Sequence, residues 1–147
     1  MSTITVVIDT NVCLDLFVFK DPRWQQLMQQ LCDGSITAIT RKECREEWLS
    51  VLHYQHLPIN DENRTQFQAQ FDQYIQCVDV SNKTIKLPIC TDKDDQKFLE
   101  ISRDAGVDVL ITKDKALLKL AKKLQKLGLY SIESPEKFIK RITAAPL

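Results

Sequence analysis

The stretch Ile4-Thr5-Val6-Val7-Ile8-Asp9-Thr10-Asn11 decides how the rest of the chain is read. Ile4, Val6, Val7 and Ile8 are apolar, interrupted only by Thr5, and the run stops on an aspartate. A short β-branched run of this kind reads as a strand buried on both faces, as in the middle of a parallel sheet. Open α/β sheets bind ligands just beyond the carboxyl ends of their strands. Asp9 is therefore expected to point into such a crevice, with Thr10 and Asn11 opening the helix that follows.

Working outward, strand and helix patterns alternate. Val12 to Phe19 is apolar enough for a short helix, and Asp21-Pro22 starts another, with aspartate as N-cap and proline in the first position. Trp24, Leu27, Met28 and Leu31 give that helix a buried face, Gly34 ends it, and Ile36 to Ile39 reads as a second strand. A helix over 41–54 would turn Cys44, Trp48, Val51 and Leu52 inward. The stretch 55–61 reads as a loop, 62–76 as an amphipathic helix carrying Phe67, Phe71, Tyr74 and Ile75, and 77–80 as a short strand. A connector over 81–91 leads to a helix from Asp94 to Ala105, stopped by Gly106. Val107 to Thr112 is the clearest strand after the first, and it too runs toward an aspartate, Asp114. One helix over 115–127, a strand Leu129 to Ile132 and a terminal helix from Ser134-Pro135-Glu136 complete the chain. This alternation predicts a parallel sheet with helices on both faces, in a single domain over 1–147.

Composition narrows the function classes. Twenty basic and twenty acidic residues cancel, so any attraction to nucleic acid must come from local patches. No apolar run approaches the ~20 residues of a membrane span. The N-terminal stretch has no basic segment leading into an apolar one, and the expected compartment is the cytoplasm. The five cysteines are odd in number, scattered and without a C-x-x-C pair. They read as reduced, buried thiols and not as a zinc site.

Acidic residues fall where this layout gathers strand ends: Asp9, Glu46 and Glu47, then Asp92, Asp94 and Asp95, then Asp114. Carboxylates grouped at one sheet edge repel and raise one another's pKa unless a cation sits between them. Hard oxygen donors without clustered His or Cys select Mg²⁺ or Mn²⁺, ions that deprotonate a water and neutralise charge in phosphoryl chemistry. Each acid also has a plainer reading. Asp9 and Asp114 are placed to cap helices, one of Glu46 and Glu47 to be solvated, and at least one of Asp92, Asp94 and Asp95 only to cap a helix N-terminus.

Taken in order, Val-Ile-Asp-Thr-Asn, an acidic helix near residue 45, Asp-x-Asp-Asp-Gln-x-Phe-Leu and Leu-Ile-Thr-Lys-Asp resemble the PIN domain family. The likeness is greatest to the branch of ribonuclease toxins from bacterial toxin–antitoxin pairs, and it spans Val6 to about Phe138. The resemblance implies a three-layer α/β/α sandwich with a central, mainly parallel sheet. It also implies an endoribonuclease dependent on Mg²⁺ or Mn²⁺. On the matching positions it makes Asp9, Asp95 and Asp114 the metal ligands and catalytic acids. Glu47, which fits the helix register better than Glu46, binds the ion directly or through water. Asn11, Thr112 and Asp92 would be supporting groups, Asp92 as an outer acid. Many family members carry a further acid two residues after the fourth, where this chain has Ala116. That departure points to one tightly held ion.

Lys113 and Lys115, at a strand end beside Asp114, are the candidate phosphate-binding residues. Lys119, Lys122, Lys123 and Lys126 read as the solvated side of an amphipathic helix, and His53 and His56 as surface residues. The resemblance further implies an RNA substrate, a small antitoxin protein as partner, and a homodimer. Trp24 and Trp48 are candidates for a dimer interface, although the core is the commoner place for both. The alternative function is a PIN-like module that binds RNA or protein without turnover, which the alanine at 116 would favour. An aspartyl-phosphate enzyme built on Asp9 ranks last, since Asn11 stands where dehalogenase-like phosphotransferases carry a second aspartate.

Overall fold

A computed structural model describes residues 3–143 of the chain. Strand β1 (Ile4–Ile8) leads into α1 (Thr10–Cys13), which continues as a wider π-helical turn over Leu14–Val18. A 3₁₀ turn, Pro22–Trp24, precedes α2 (Gln25–Asp33), and Asp21 caps it by accepting from the Arg23 N–H at 3.0 Å. Gly34, at φ 83°, closes α2 in the left-handed conformation that glycine adopts without steric cost. Strand β2 (Ile36–Thr40), α3 (Lys42–Val51), α4 (Asp61–Tyr74) and β3 (Ile75–Cys77) follow. Past the connector come a 3₁₀ turn (Lys93–Asp95), α5 (Gln96–Asp104) and β4 (Val109–Ile111). The remainder is α6 (Lys115–Leu118), α7 (Ala121–Leu127), β5 (Ser131–Glu133) and α8 (Pro135–Thr143).

The five strands form one parallel sheet in the order β3-β2-β1-β4-β5. Alternating side chains of β1 feed two cores. Val6 and Ile8 pack with Phe17, Leu27, Trp48, Phe71 and Phe138 on one face. Val7 packs with Phe98, Leu99, Leu110, Leu117 and Leu124 on the other. Helices thus cover both faces, and the molecule is a three-layer α/β/α sandwich. Burial of each large side chain here is worth about 1.5–3 kcal/mol against leaving it in water. Trp24 and Trp48 both lie in the first core, Trp48 stacked on Phe71 with ring centroids 5.2 Å apart. Among the described residues no helix is long and apolar enough to cross a membrane.

Several expected boundaries move. The helix expected over 115–127 is two, because Leu120 donates back only three residues, to Leu117 O at 3.0 Å, which tightens the chain between α6 and α7. The helix expected to reach residue 76 gives way to strand at Ile75, whose side chain is buried in the sheet. The third strand therefore begins before the expected 77–80. The last strand lies at Ser131–Glu133, later than 129–132, because Leu129 and Tyr130 complete the turn after Gly128. Strand β4 is shorter than 107–112, yet its flanks still bond to the sheet: Asp108 N donates to Thr5 O at 2.8 Å and Thr112 N to Glu133 O at 3.0 Å. Within 12–19 the second half is π-helical, Phe19 N donating five residues back to Leu14 O. This segment ends at Lys20, whose φ of 49° is the one positive value outside glycine among the described residues.

Candidate metal centre

The strand order reverses direction between β1 and β4, the point at which a doubly wound sheet opens its crevice. Asp9 leaves the end of β1 and Thr112 the end of β4, and the two meet there. Asp9 is 3% exposed and Thr112 fully buried, and the Thr112 hydroxyl donates to Asp9 Oδ2 at 2.7 Å. The same hydroxyl accepts from the Asp114 N–H at 2.9 Å, so one side chain positions two acids. Asp9 occupies the N-cap position of α1 but makes no side-chain capping bond. Its carboxylate is left to the crevice. Burial raises its pKa to about 6; the Thr112 bond opposes that, and the charges of Glu47 and Asp114 add to it.

Asp92, Asp95 and Asp114 form a tight group, each offering an oxygen within 4.8 Å of the other two. Asp92 and Asp114 also cap: Asp92 Oδ1 accepts from Asp94 N at 3.0 Å, and Asp114 Oδ1 from Ala116 N at 2.7 Å. The plainer reading thus holds for these two without exhausting them, since each keeps an oxygen for the group. Asp95 differs. It is 8% exposed, and its Oδ2 is buried without a hydrogen-bond partner. Burial, the adjoining Asp114 carboxyl, and the charges of Asp9, Asp114 and Asp92 push its pKa to about 8. A carboxylate with a buried, unpartnered oxygen, grouped with two more carboxylates, is an arrangement that a divalent cation satisfies and water-excluded protein does not. The all-oxygen donor set suits Mg²⁺ or Mn²⁺.

The connector brings Asp92 into the group. Arg41 Nη1 donates to Val80 O at 3.2 Å and to the buried Asp104 carboxylate at 2.8 Å. Asp104 also accepts from Lys83 N at 2.8 Å. Closer to the acids, Gln96 accepts from Cys90 N at 2.7 Å and donates to Pro88 O at 3.1 Å, fixing the chain just before Asp92.

Asp9 stands beside the aspartate triad, close enough to raise Asp95, while Asp92 lies inside it. Of the two neighbouring glutamates, Glu46 is exposed and Glu47 turns toward the crevice. There Glu47 Oε2 accepts from the Thr10 hydroxyl and Oε1 pairs with Lys97 Nζ at 2.7 Å. Asn11 is exposed at the start of α1. Lys113 is drawn away from Asp114 into an ion pair with Asp15 at 2.5 Å. Lys115 is exposed and makes no ion pair among the described residues. The sequence reading missed Lys97 and Asp15. Lys97 had one visible signal: a cation in the first turn of a helix opposes the macrodipole and calls for an acidic partner.

A family model described as PIN domain matches residues 5–116, about three quarters of the chain. The chain belongs to the PIN domain family. The match takes in β1 to the start of α6, and with them every acid of the centre. It stops at Ala116, short of the expected Phe138, although β5 and α8 still pack on the same sheet and core. A comparison with curated proteins finds no match. The PIN fold and the aspartate triad together are consistent with the metal-dependent nuclease centre that is the general function of the family.

Proposed function

We propose that this PIN domain is an endoribonuclease that hydrolyses RNA phosphodiester bonds with one bound Mg²⁺ or Mn²⁺. The observation that carries the reading is the grouping of Asp92, Asp95 and Asp114, in which Asp95 carries a buried oxygen, Oδ2, without a hydrogen-bond partner. These three residues would hold the ion, with Asp9 held next to them by Thr112. When bound, the ion supplies an activated water and neutralises charge developing on the phosphate. Asp114 also sets the start of α6, so the exposed Lys115 emerges directly beside the acids, where it can meet a backbone phosphate. Thr112 keeps Asp9 and Asp114 at a fixed spacing. The Gln96-held connector does the same for Asp92.

The likeness of the ordered motifs to the toxin branch supports a finer reading: a cytoplasmic toxin neutralised by a small antitoxin protein. Growth arrest on expression, relieved by a co-expressed neighbouring small protein, is the expected outcome. For the activity itself, the test is cleavage of a mixed RNA pool by purified protein in Mn²⁺ or Mg²⁺. Cleavage is expected to stop with EDTA and in D95N. Cleavage that persists in both would mean a contaminating nuclease, and no cleavage or Mn²⁺ binding by the intact chain would overturn the reading.

A further inference from the structure

The geometry points to Lys97 as a resident cation of the crevice that does the work of a second metal ion, with Glu47 as its anchor and not as an ion ligand. The inference rests on the one-ion nuclease reading and concerns what balances the remaining acids. Both oxygens of Glu47 are already engaged, one by Lys97 Nζ and the other by the Thr10 hydroxyl. Among the described residues, this is the one ion pair made by any of Asp9, Glu47, Asp92, Asp95 and Asp114. Lys113, the nearest cation in sequence to Asp114, is committed to Asp15.

Lys97 is built in where a lysine is electrostatically costly. It is the second residue of α5, at the positive end of the helix dipole. Glu47, and the Asp94 carbonyl that accepts from Nζ at 2.5 Å, hold it there. A residue that breaks a local rule and is held by specific partners is the kind found at functional sites. An ammonium has three N–H donors. Glu47 and Asp94 O take two of them, and the side chain keeps 20% of its surface in solvent. The third donor is left for a non-bridging oxygen of an RNA phosphate held over the aspartate triad. Charge neutralisation at that position is what the second ion provides in two-metal nucleases.

Three variants test this: K97M, K97R and the charge-neutral pair E47Q/K97M, each checked for fold by circular dichroism. Mn²⁺ is titrated by calorimetry, and RNA cleavage is followed at saturating Mn²⁺. The wild type is expected to bind one Mn²⁺, and E47Q/K97M to bind one with affinity within about tenfold of it, as for loss of an outer group. K97M is expected to keep its Mn²⁺ and lose about 100-fold in kcat, as when one fixed electrostatic group is removed from an active site. K97R is expected to recover part of that loss. Two ions on the wild type, loss of the ion in E47Q/K97M, or full kcat in K97M would overturn the role of Lys97 and leave the nuclease reading intact. Absence of Mn²⁺ binding by the wild type would remove the nuclease reading itself, and with it this inference.

Discussion

Thr112 Oγ1 lies 2.7 Å from Asp9 Oδ2, joining the ends of β4 and β1 at the point where the sheet reverses its winding. The bond is wholly buried, so its hydroxyl cannot be replaced by water. T112V keeps the shape and removes the donor to Asp9 and the acceptor for Asp114 N. A buried polar group left unsatisfied costs about 1–3 kcal/mol, which is about 3–8 °C in Tm for a chain of this length. T112S should restore most of it. Equal melting of T112V and wild type in EDTA would show that the bond contributes nothing net.

The pKa values make metal-free stability depend on pH, with a definite sign. Asp9 rises from 3.8 to about 6 and Asp95 from 3.8 to about 8 on folding. A carboxyl with a raised folded pKa stabilises the fold while protonated, fully so below 3.8. That contribution is lost as pH climbs through the folded value. The metal-free chain is therefore expected to lose stability from about pH 4 to pH 8, Asp9 alone accounting for about 3 kcal/mol. Urea midpoints in EDTA across this range check it. A flat profile would mean that the acids are not buried together as described.

Removing the most perturbed acid should separate stability from binding. D95N takes away a buried ionisable group and gives Asp114 an amide donor. Its metal-free Tm at pH 8 is expected to exceed that of the wild type by a few degrees, since buried unpaired charge is a liability that such substitutions relieve. The wild type should gain more from Mn²⁺ at pH 8 than at pH 5, because the ion selects the ionised carboxylates. D95N should gain little at either pH. A D95N protein that is stabilised by Mn²⁺ as strongly as the wild type would exclude Asp95 as a ligand.

Much of this was legible in the chain because it is local. The β-branched run 4–8 ends on Asp9 as its pattern dictates, and Asp21-Pro22 starts a helical turn as its capping chemistry requires. Asp95 and Asp114 were found because acids at the ends of predicted strands and the starts of helices converge once the sheet is parallel. What the sequence hid depends on contacts across long separations. The connector that leads to Asp92 is fixed by the Arg41–Asp104 pair, 63 residues apart, and has no periodicity to read. Lys113 turns to Asp15, nearly a hundred residues earlier, where Asp15 also accepts from Trp24 Nε1 at 3.1 Å. The break between α6 and α7 is a shift from four-residue to three-residue bonding, and it leaves the leucine spacing unchanged.

Gln96 offers the sharpest test of how the fold serves the centre, because it touches no acid of the triad through its side chain. Its amide bonds Pro88 O and Cys90 N on either side of Ile89, an 81% exposed residue that contributes little packing of its own. In Q96A the connector loses both bonds, at a cost of about 1–2 kcal/mol. The path into Asp92 is no longer fixed, and Mn²⁺ affinity is expected to fall about tenfold, as for other groups that orient a ligand from outside. N63A is the control. Asn63 forms the reciprocal capping box with Asn60 at the start of α4, so its loss should cost about 1 kcal/mol. It should leave Mn²⁺ affinity unchanged. If Q96A and N63A destabilise alike and both keep wild-type Mn²⁺ affinity, Asp92 is held by its own capping bond to Asp94 N, and the connector plays no part in arranging the ion's ligands.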